Sequence, residues 1–226
     1  MHNKELVKIC KMTKRYSGER NVLHEIDFTL KKGQIVTIRG NSGSGKSTFL
    51  NIVGLLDGFN SGEYYFDGIK ILKNRFYKYD KLRGSSIGFI FQNYNLIESL
   101  SVKDNILIPY LYNKTRLSKE REKKIDELCE EFDIYNLKNK RASYLSGGEK
   151  QRVAIVRALA IAPKLIIADE PTGNLDEANA KIINSKFKKL SSLGTSIIVV
   201  THSNQIFNQV DCEYRLIDGK LMIDEK

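Results

Sequence analysis

The chain reads as an α/β protein: a central sheet with packed helices, an antiparallel β piece and an inserted helical region, all within one domain over residues 1–226. Three observations predict this. The apolar alternating run Gln34-Ile35-Val36-Thr37-Ile38 passes through a glycine-rich loop directly into a helix-periodic segment. Two later apolar runs, Leu165 to Ala168 and Ser196 to Val200, read as buried parallel strands, and the segment between them carries Ile183, Phe187 and Leu190 on one helical face. The region from about 93 to 150 has few strand-like runs and clear helical patterns.

The elements follow in order. Leu6 to Cys10, Ile26 to Leu30 with period-two alternation, Gln34 to Ile38, and Glu63 to Phe66 closing on Asp67-Gly68 read as short strands, which suggests an antiparallel piece beside the loop. After Lys46, the residues Phe49, Leu50, Val53 and Leu56 recur at helical spacing, and Asp57-Gly58 ends that helix. Ile87-Gly88-Phe89-Ile90-Phe91 is a further strand that delivers Gln92 at its end. Ile125, Leu128 and Phe132 then form one apolar stripe on a charged segment that begins near Ser118. Tyr214 to Ile217 and Leu221 to Ile223 flank Asp218-Gly219, a hairpin signal.

Composition narrows the class. At 226 residues the chain can bury a substantial core, and no repeat argues for more than one domain. Cys10, Cys129 and Cys212 lack metal-ligand spacing and read as free thiols of a reducing cytoplasm, and the start, Met1-His2-Asn3-Lys4-Glu5, is polar rather than a secretory apolar segment. The longest apolar runs fall far short of the roughly 20 residues that cross a bilayer as a helix. The formal charge of +10 is spread over many segments and mixed with acids, as in Lys119-Glu120-Arg121-Glu122-Lys123-Lys124, so it reads as a solvated surface and no nucleic-acid partner is expected.

The loop Gly40-Asn41-Ser42-Gly43-Ser44-Gly45-Lys46-Ser47 fits G-x-x-x-x-G-K-[ST]. Its glycines let successive backbone N–H groups turn toward one point, Lys46 adds a cation, and the following helix presents its positive end to the same anion. An ordinary solvated turn also uses Gly, Ser and Lys, but the strand-loop-helix context favours phosphate, and a nucleoside triphosphate is the expected ligand. The buried strand ending in Asp169-Glu170 is independent support. Asp169 can hold Mg²⁺ together with the Ser47 hydroxyl, and Glu170 is placed to orient or deprotonate an attacking water; either acid alone could be a helix N-cap before Pro171, a reading the phosphate loop in the same chain disfavours.

Leu145-Ser146-Gly147-Gly148-Glu149-Lys150-Gln151-Arg152 contains a second anion-binding helix start. Ser146 and Glu149 have capping-box spacing, and Gly147 and Gly148 leave backbone N–H groups open. Two phosphate sites with a single lysine-bearing loop imply that the second serves a nucleotide on another copy, so the chain is expected to form an ATP-sandwich homodimer.

With these residues in place, the chain resembles the ATPase subunit of ABC transporters over essentially its whole length. GNSGSGKS is similar to that family's Walker A, LIIADE to its Walker B and LSGGEKQR to its signature, in the family's order. The resemblance implies a P-loop NTPase with a RecA-like core, an antiparallel β subdomain and an α-helical subdomain inserted at about 93–150. It implies that Gly40 to Ser47, with Thr48, hold ATP and that Ser146, Gly147, Gly148 and Glu149 address it from the other copy. It further implies that Gln92 senses Mg²⁺ and the membrane partner, that Asn174-Leu175-Asp176 is a dimer-contact loop, and that His202 is the switch histidine near the γ-phosphate. Tyr16 corresponds to the aromatic that stacks on adenine, although one tyrosine also serves simply to cover a core. Ser203 departs from the acid the family often has after that histidine.

Asn51 to Asp57, Gly88 to Gln92 and Ala168 to Asp176 are similar to the subgroup of macrolide and peptide exporters, lipoprotein-release ATPases, bacitracin-type resistance pumps and the cell-division ATPase. That implies a separate integral membrane permease as partner, an extracytoplasmic adaptor, and residence at the cytoplasmic face of the membrane, with either transport or mechanotransmission as the output. Two rivals differ in class. A DNA- or ribosome-acting relative would bring a long coiled coil or two sets of motifs, and a P-loop kinase or GTPase acting alone has no use for the signature segment.

Overall fold

The computed structural model describes residues 4–16, 18, 21–73, 75–112, 117–173, 177–201 and 210–224. Among them are ten strands: β1 (Glu5–Lys14), β2 (Leu23–Lys31), β3 (Ile35–Arg39), β4 (Ser61–Phe66), β5 (Ile69–Ile71), β6 (Ile87–Ile90), β7 (Leu165–Asp169), β8 (Ser196–Val200), β9 (Cys212–Ile217) and β10 (Lys220–Ile223). Six α-helices accompany them: α1 (Lys46–Val53), α2 (Asp80–Ser86), α3 (Val102–Tyr112), α4 (Lys119–Glu131), α5 (Gly147–Leu159) and α6 (Glu177–Ser192).

The strands make two sheets. One is antiparallel, in the order β2-β1-β4-β5, and the other runs β10-β9-β3-β8-β7-β6. In the second, β9, β3, β8, β7 and β6 are mutually parallel, and only β10 is antiparallel, at the edge. The expected antiparallel piece is therefore real, but Gln34 to Ile38 does not belong to it. That run is β3, held between β9 and β8, and its four residues Ile35 to Ile38 are buried because helices and sheet cover both faces.

Period-two alternation divides these strands between two cores. Val36, Ile38, Ile198, Val200, Leu165 and Ile167 face the antiparallel sheet and α1, where Phe28 meets Phe49 and Tyr214 edge-on at 5.2 and 5.1 Å. Ile35, Ile197, Val199, Ile166 and Ala168 face the opposite way, onto α5, α6 and the helical region. α4 buries Ile125, as the stripe predicts, and Cys129, which the stripe does not include, with Phe132 buried at its C-cap, Leu128 partly buried and Ser118 capping its first turn. Ile183 and Phe187 anchor α6 in the same core.

One expected boundary fails. α1 stops at Val53 with Gly54 as C-cap, and Leu56 is exposed beyond it rather than in the buried stripe. The chain turns there because Gly54 accepts the close approach of the Phe89 ring, and Leu55 takes a left-handed φ of 59°. At the other end, Asp218 and Gly219 have φ of 46° and 76°, as a two-residue hairpin of type I′ requires.

Candidate nucleotide site

Four parallel strands end on one edge of the central sheet, and the chain leaves three of them through residues singled out in the sequence and the fourth through Thr201. β3 leads into the glycine-rich loop, β6 into Gln92, β7 into Asp169 and Glu170, and β8 into Thr201. Open α/β sheets bind ligands beyond such carboxyl ends. The cleft there encloses about 460 Å³ and is lined by Ser42, Gly43, Gly45, Lys46, Ser47, Thr48, Gln92, Asp169 and Glu170, together with Val22, Gly173 and Val200.

The loop is shaped for an anion. Gly45, the N-cap of α1, has a φ of 105°, open only to glycine, and no side chain caps the helix start. No acidic residue lies in the first turn of α1, so its N–H groups and dipole face the cleft unopposed. Gly40 is required by proximity instead: a methyl group there would sit 2.2 Å from the Leu216 carbonyl oxygen. Lys46 Nζ donates to the carbonyl oxygens of Gly40 and Asn41 at 2.7 and 2.8 Å, which keeps the ammonium across the loop. The Ser44 hydroxyl is buried without a protein partner. Gly40, Asn41 and Ser44 line a second cavity of about 500 Å³ behind the loop, with Arg39 and Arg215 to Asp218.

Glu170 is fixed by strain and by hydrogen bonds. Its φ is 47°, its N–H donates to the Val200 carbonyl oxygen at 2.9 Å, and its Oε2 accepts from the Thr201 hydroxyl at 3.2 Å. Asp169 and Glu170 both line the cleft. Ser47, Gln92 and Asp169 supply only oxygen ligands, the set a hard divalent cation prefers, and all three line one cleft, so they fit Mg²⁺.

Tyr16 is half exposed and lies outside the cleft lining. Its O–H donates to Asp57 Oδ2 at 2.7 Å, while Lys14 Nζ lies 4.4 Å from the ring centroid and donates to Asp57 Oδ1 at 2.8 Å. Burial and the Asp57 carboxylate raise the phenol's pKa, so it remains a donor. Burial works against the Asp57 charge, yet the Lys14 and Tyr16 donors hold it below the usual carboxylate range.

Ser146, Gly147, Gly148 and Glu149 do not join the cleft of their own chain. Ser146 caps α5: its Oγ accepts from Glu149 N–H at 3.3 Å, and Glu149 Oε2 accepts from Ser146 N–H at 2.7 Å, the reciprocal capping box. The Ser146 N–H lowers the Glu149 pKa, so its carboxylate serves the helix start. Ser146 and Gly147 are exposed. His202 and Asn174-Leu175-Asp176 lie outside the described residues.

Sequence reasoning missed Val22 and Thr201 in and beside the cleft, and the Lys14–Asp57 support of Tyr16, whose members are 43 residues apart. It also missed Arg157, although a cation inside the apolar stretch Val153 to Leu159 is a visible signal.

Residues 23–173 match the family model described as ABC transporter. The chain is 39% identical over 204 residues to lipoprotein-releasing system ATP-binding protein LolD 1 of Rhodopseudomonas palustris, covering 90% of each. It is 41% identical over 219 residues to macrolide export ATP-binding/permease protein MacB of Neisseria meningitidis, covering 95% of this chain but 34% of that protein. The dimeric structure of a post-hydrolysis state of the ATP-binding cassette MJ0796, bound to ADP and Pi, superposes with a TM-score of 0.87 at 38% identity, covering 97% of this chain and 98% of the other.

Proposed function

Because the chain belongs to the ABC transporter family and is an ATP-hydrolysing subunit of it, we propose that two copies close around two nucleotides and drive a separate membrane permease that exports or extracts a peptide, antimicrobial or lipophilic substrate. The observation that carries this is the division of the site. Lys46, Ser47, Asp169, Glu170 and Gln92 line one cleft, while Ser146 and Gly147 at the capped start of α5 are exposed and lie outside it.

In this reading Gly40 to Thr48 grip the phosphates of ATP through backbone N–H groups, the α1 dipole and Lys46. Mg²⁺, held by Ser47, Asp169 and Gln92, would offset phosphate charge. Tyr16, steadied by Lys14 and Asp57, offers its ring to adenine. Glu170, locked by Val200 and Thr201, accepts a proton from the attacking water or orients it. Ser146, Gly147 and Gly148 of the other copy direct hydroxyl and N–H donors at the γ-phosphate. His202 and Asn174 to Asp176, outside the described residues, would take the switch and dimer-contact roles that the family resemblance implies. Loss of the γ-phosphate removes what both halves bind, so the dimer opens and the motion passes through the helical subdomain at 93–150 and Gln92 to the permease.

The relatives support the cargo class: one is a lipoprotein-releasing protein by name and another a macrolide exporter. The chain spans about a third of the macrolide exporter, which is named both ATP-binding and permease. Among the described residues no helix is long and apolar enough to cross a membrane, which suits a peripheral subunit at the cytoplasmic face, with an extracytoplasmic adaptor as a further partner. The test is Glu170→Gln: an ATP-stabilised dimer with turnover at least about 100-fold lower is expected, in the range that general-base catalysis supplies. Near-normal hydrolysis would remove Glu170 from this role. Purification from the native membrane should bring down an integral membrane protein, and ATP-dependent binding to DNA or ribosomes in its place would overturn the transporter reading.

A further inference from the structure

α5 carries Ser146 to Gly148 at its start and Arg157 ten residues past Gly147, about 15 Å along the axis. Arg157 is buried within the apolar stretch Val153 to Leu159 of α5, and burial pulls its pKa down to about 10, so it remains charged at neutral pH. Its hydrogen-bond partners are two backbone carbonyl oxygens: Nη2 donates to Tyr94 at 2.7 Å and Nη1 to Asn95 at 2.6 Å. A buried cation is costly, and it persists only where its donors are fully used.

Those two carbonyls belong to an unusual turn. Tyr94 and Asn95 are consecutive non-glycine residues with φ of 60° and 47°, a left-handed pair that begins two residues after Gln92. L residues disfavour this conformation, so the surroundings must impose it. Contacts with α5 and its lead-in continue along the segment: Lys150 Nζ meets Glu98 Oε1 at 3.0 Å, and Ser143 N–H donates to the Glu98 carbonyl oxygen at 3.1 Å. At the other end of the helix, a methyl group on Gly147 would lie 3.1 Å from the Tyr94 hydroxyl, so that ring is seated against the helix start.

We infer that Arg157 is a positioning residue through which α5 sets the conformation of the Gln92 loop, so that seating of Ser146 to Gly148 on the other copy's nucleotide is passed to the chain's own cleft. The second half of this rests on the dimer proposed above. Arg157 touches neither nucleotide; its two hydrogen bonds make the turn after Gln92 part of the α5 body.

Hydrogen exchange on the intact protein tests the first half. Arg157→Ala, checked for cooperative unfolding, should speed exchange at the Tyr94 and Asn95 amides by at least about tenfold, the factor that losing one charge-assisted hydrogen bond represents. Arg157→Lys, which keeps the charge but cannot fork between two carbonyls, should fall between, and it carries the test if the alanine variant does not fold. Unchanged exchange in a folded variant overturns the inference. A double-mutant cycle with Gln92→Ala tests the second half by kcat at saturating ATP. Removing Arg157 should cost about tenfold with Gln92 present and little in its absence, whereas an equal loss in both backgrounds assigns Arg157 to stability alone. If Gln92→Ala hydrolyses ATP like the wild type, the proposed role of Gln92 fails, and the exchange experiment still decides whether Arg157 holds the loop.

Discussion

Replacing Gly40 by alanine adds one methyl group where the backbone of β9 already stands. The new carbon would lie 2.2 Å from the Leu216 carbonyl oxygen and 2.8 Å from Ser44 Oγ, against an ordinary contact of 3.4 Å or more. The serine can rotate, but the carbonyl cannot, because β9 pairs with β3 from Val36↔Cys212 to Arg39↔Arg215. Either the end of β9 or the mouth of the phosphate loop must move by about 1 Å. Overpacking of this kind costs about 1–3 kcal/mol, and for a chain of this size that lowers Tm by about 2–12 °C. Because the loop also shapes the cleft, ATP should raise Tm less in the variant than in the wild type. Thermal unfolding with and without ATP measures both. Gly43→Ala is the control, since nothing lies within 4 Å of its added methyl group and only its φ of 79° opposes the change. A Gly40→Ala protein with wild-type Tm and a full ATP-induced shift would refute the argument from close approach.

Two further outcomes follow from the hydrogen bonds around the site. Asp57 has a depressed folded pKa, so its contribution is present above the unfolded value of about 3.9 and is lost as pH falls through the folded one; Asp57→Asn should flatten the pH dependence of stability below about pH 4, and an unchanged acid limb would dismiss the Lys14–Asp57–Tyr16 cluster as its source. Glu149→Ala removes half of the capping box and should cost about 1 kcal/mol, or about 2–4 °C in Tm, and it should weaken the ATP-dependent dimer of a Glu170→Gln background, as read by size-exclusion chromatography; full retention of both would separate the cap from nucleotide recognition.

The parts of the site that are contiguous in sequence were legible there. Gly40 to Ser47, Asp169-Glu170 and Ser146 to Glu149 each pack their chemistry into a few neighbouring residues, and each lies at a strand end or helix start that its flanking apolar pattern announces. What was not legible depends on tertiary approach. The strand Gln34 to Ile38 looks like its antiparallel neighbours because a five-residue apolar run does not say which sheet it enters; only the partners β9 and β8 decide that. Leu56 fits the helical period of α1, yet the chain has already turned at Gly54, beside Phe89 of another strand. The support of Tyr16 by Asp57 and the grip of Arg157 on Tyr94 join residues 41 and 63 apart, and no local pattern encodes such pairs.

The hydrogen bonding of the two anion sites bears on why hydrolysis would need two copies. At the loop, the N–H groups at the start of α1 have no side-chain cap, so they are spent only when a phosphate arrives. At α5 the cap is complete on the protein side, but it consumes the Ser146 oxygen as an acceptor and leaves the hydroxyl hydrogen and the Gly147 and Gly148 N–H groups as donors on an exposed edge. Both edges therefore present backbone N–H donors at a helix start. Two copies brought together without an anion would oppose positive helix ends; with a triphosphate between them, each edge finds its acceptor. The nucleotide would thus be an anionic acceptor that both helix starts share, and cleaving its terminal phosphate removes a reason for the surfaces to stay together.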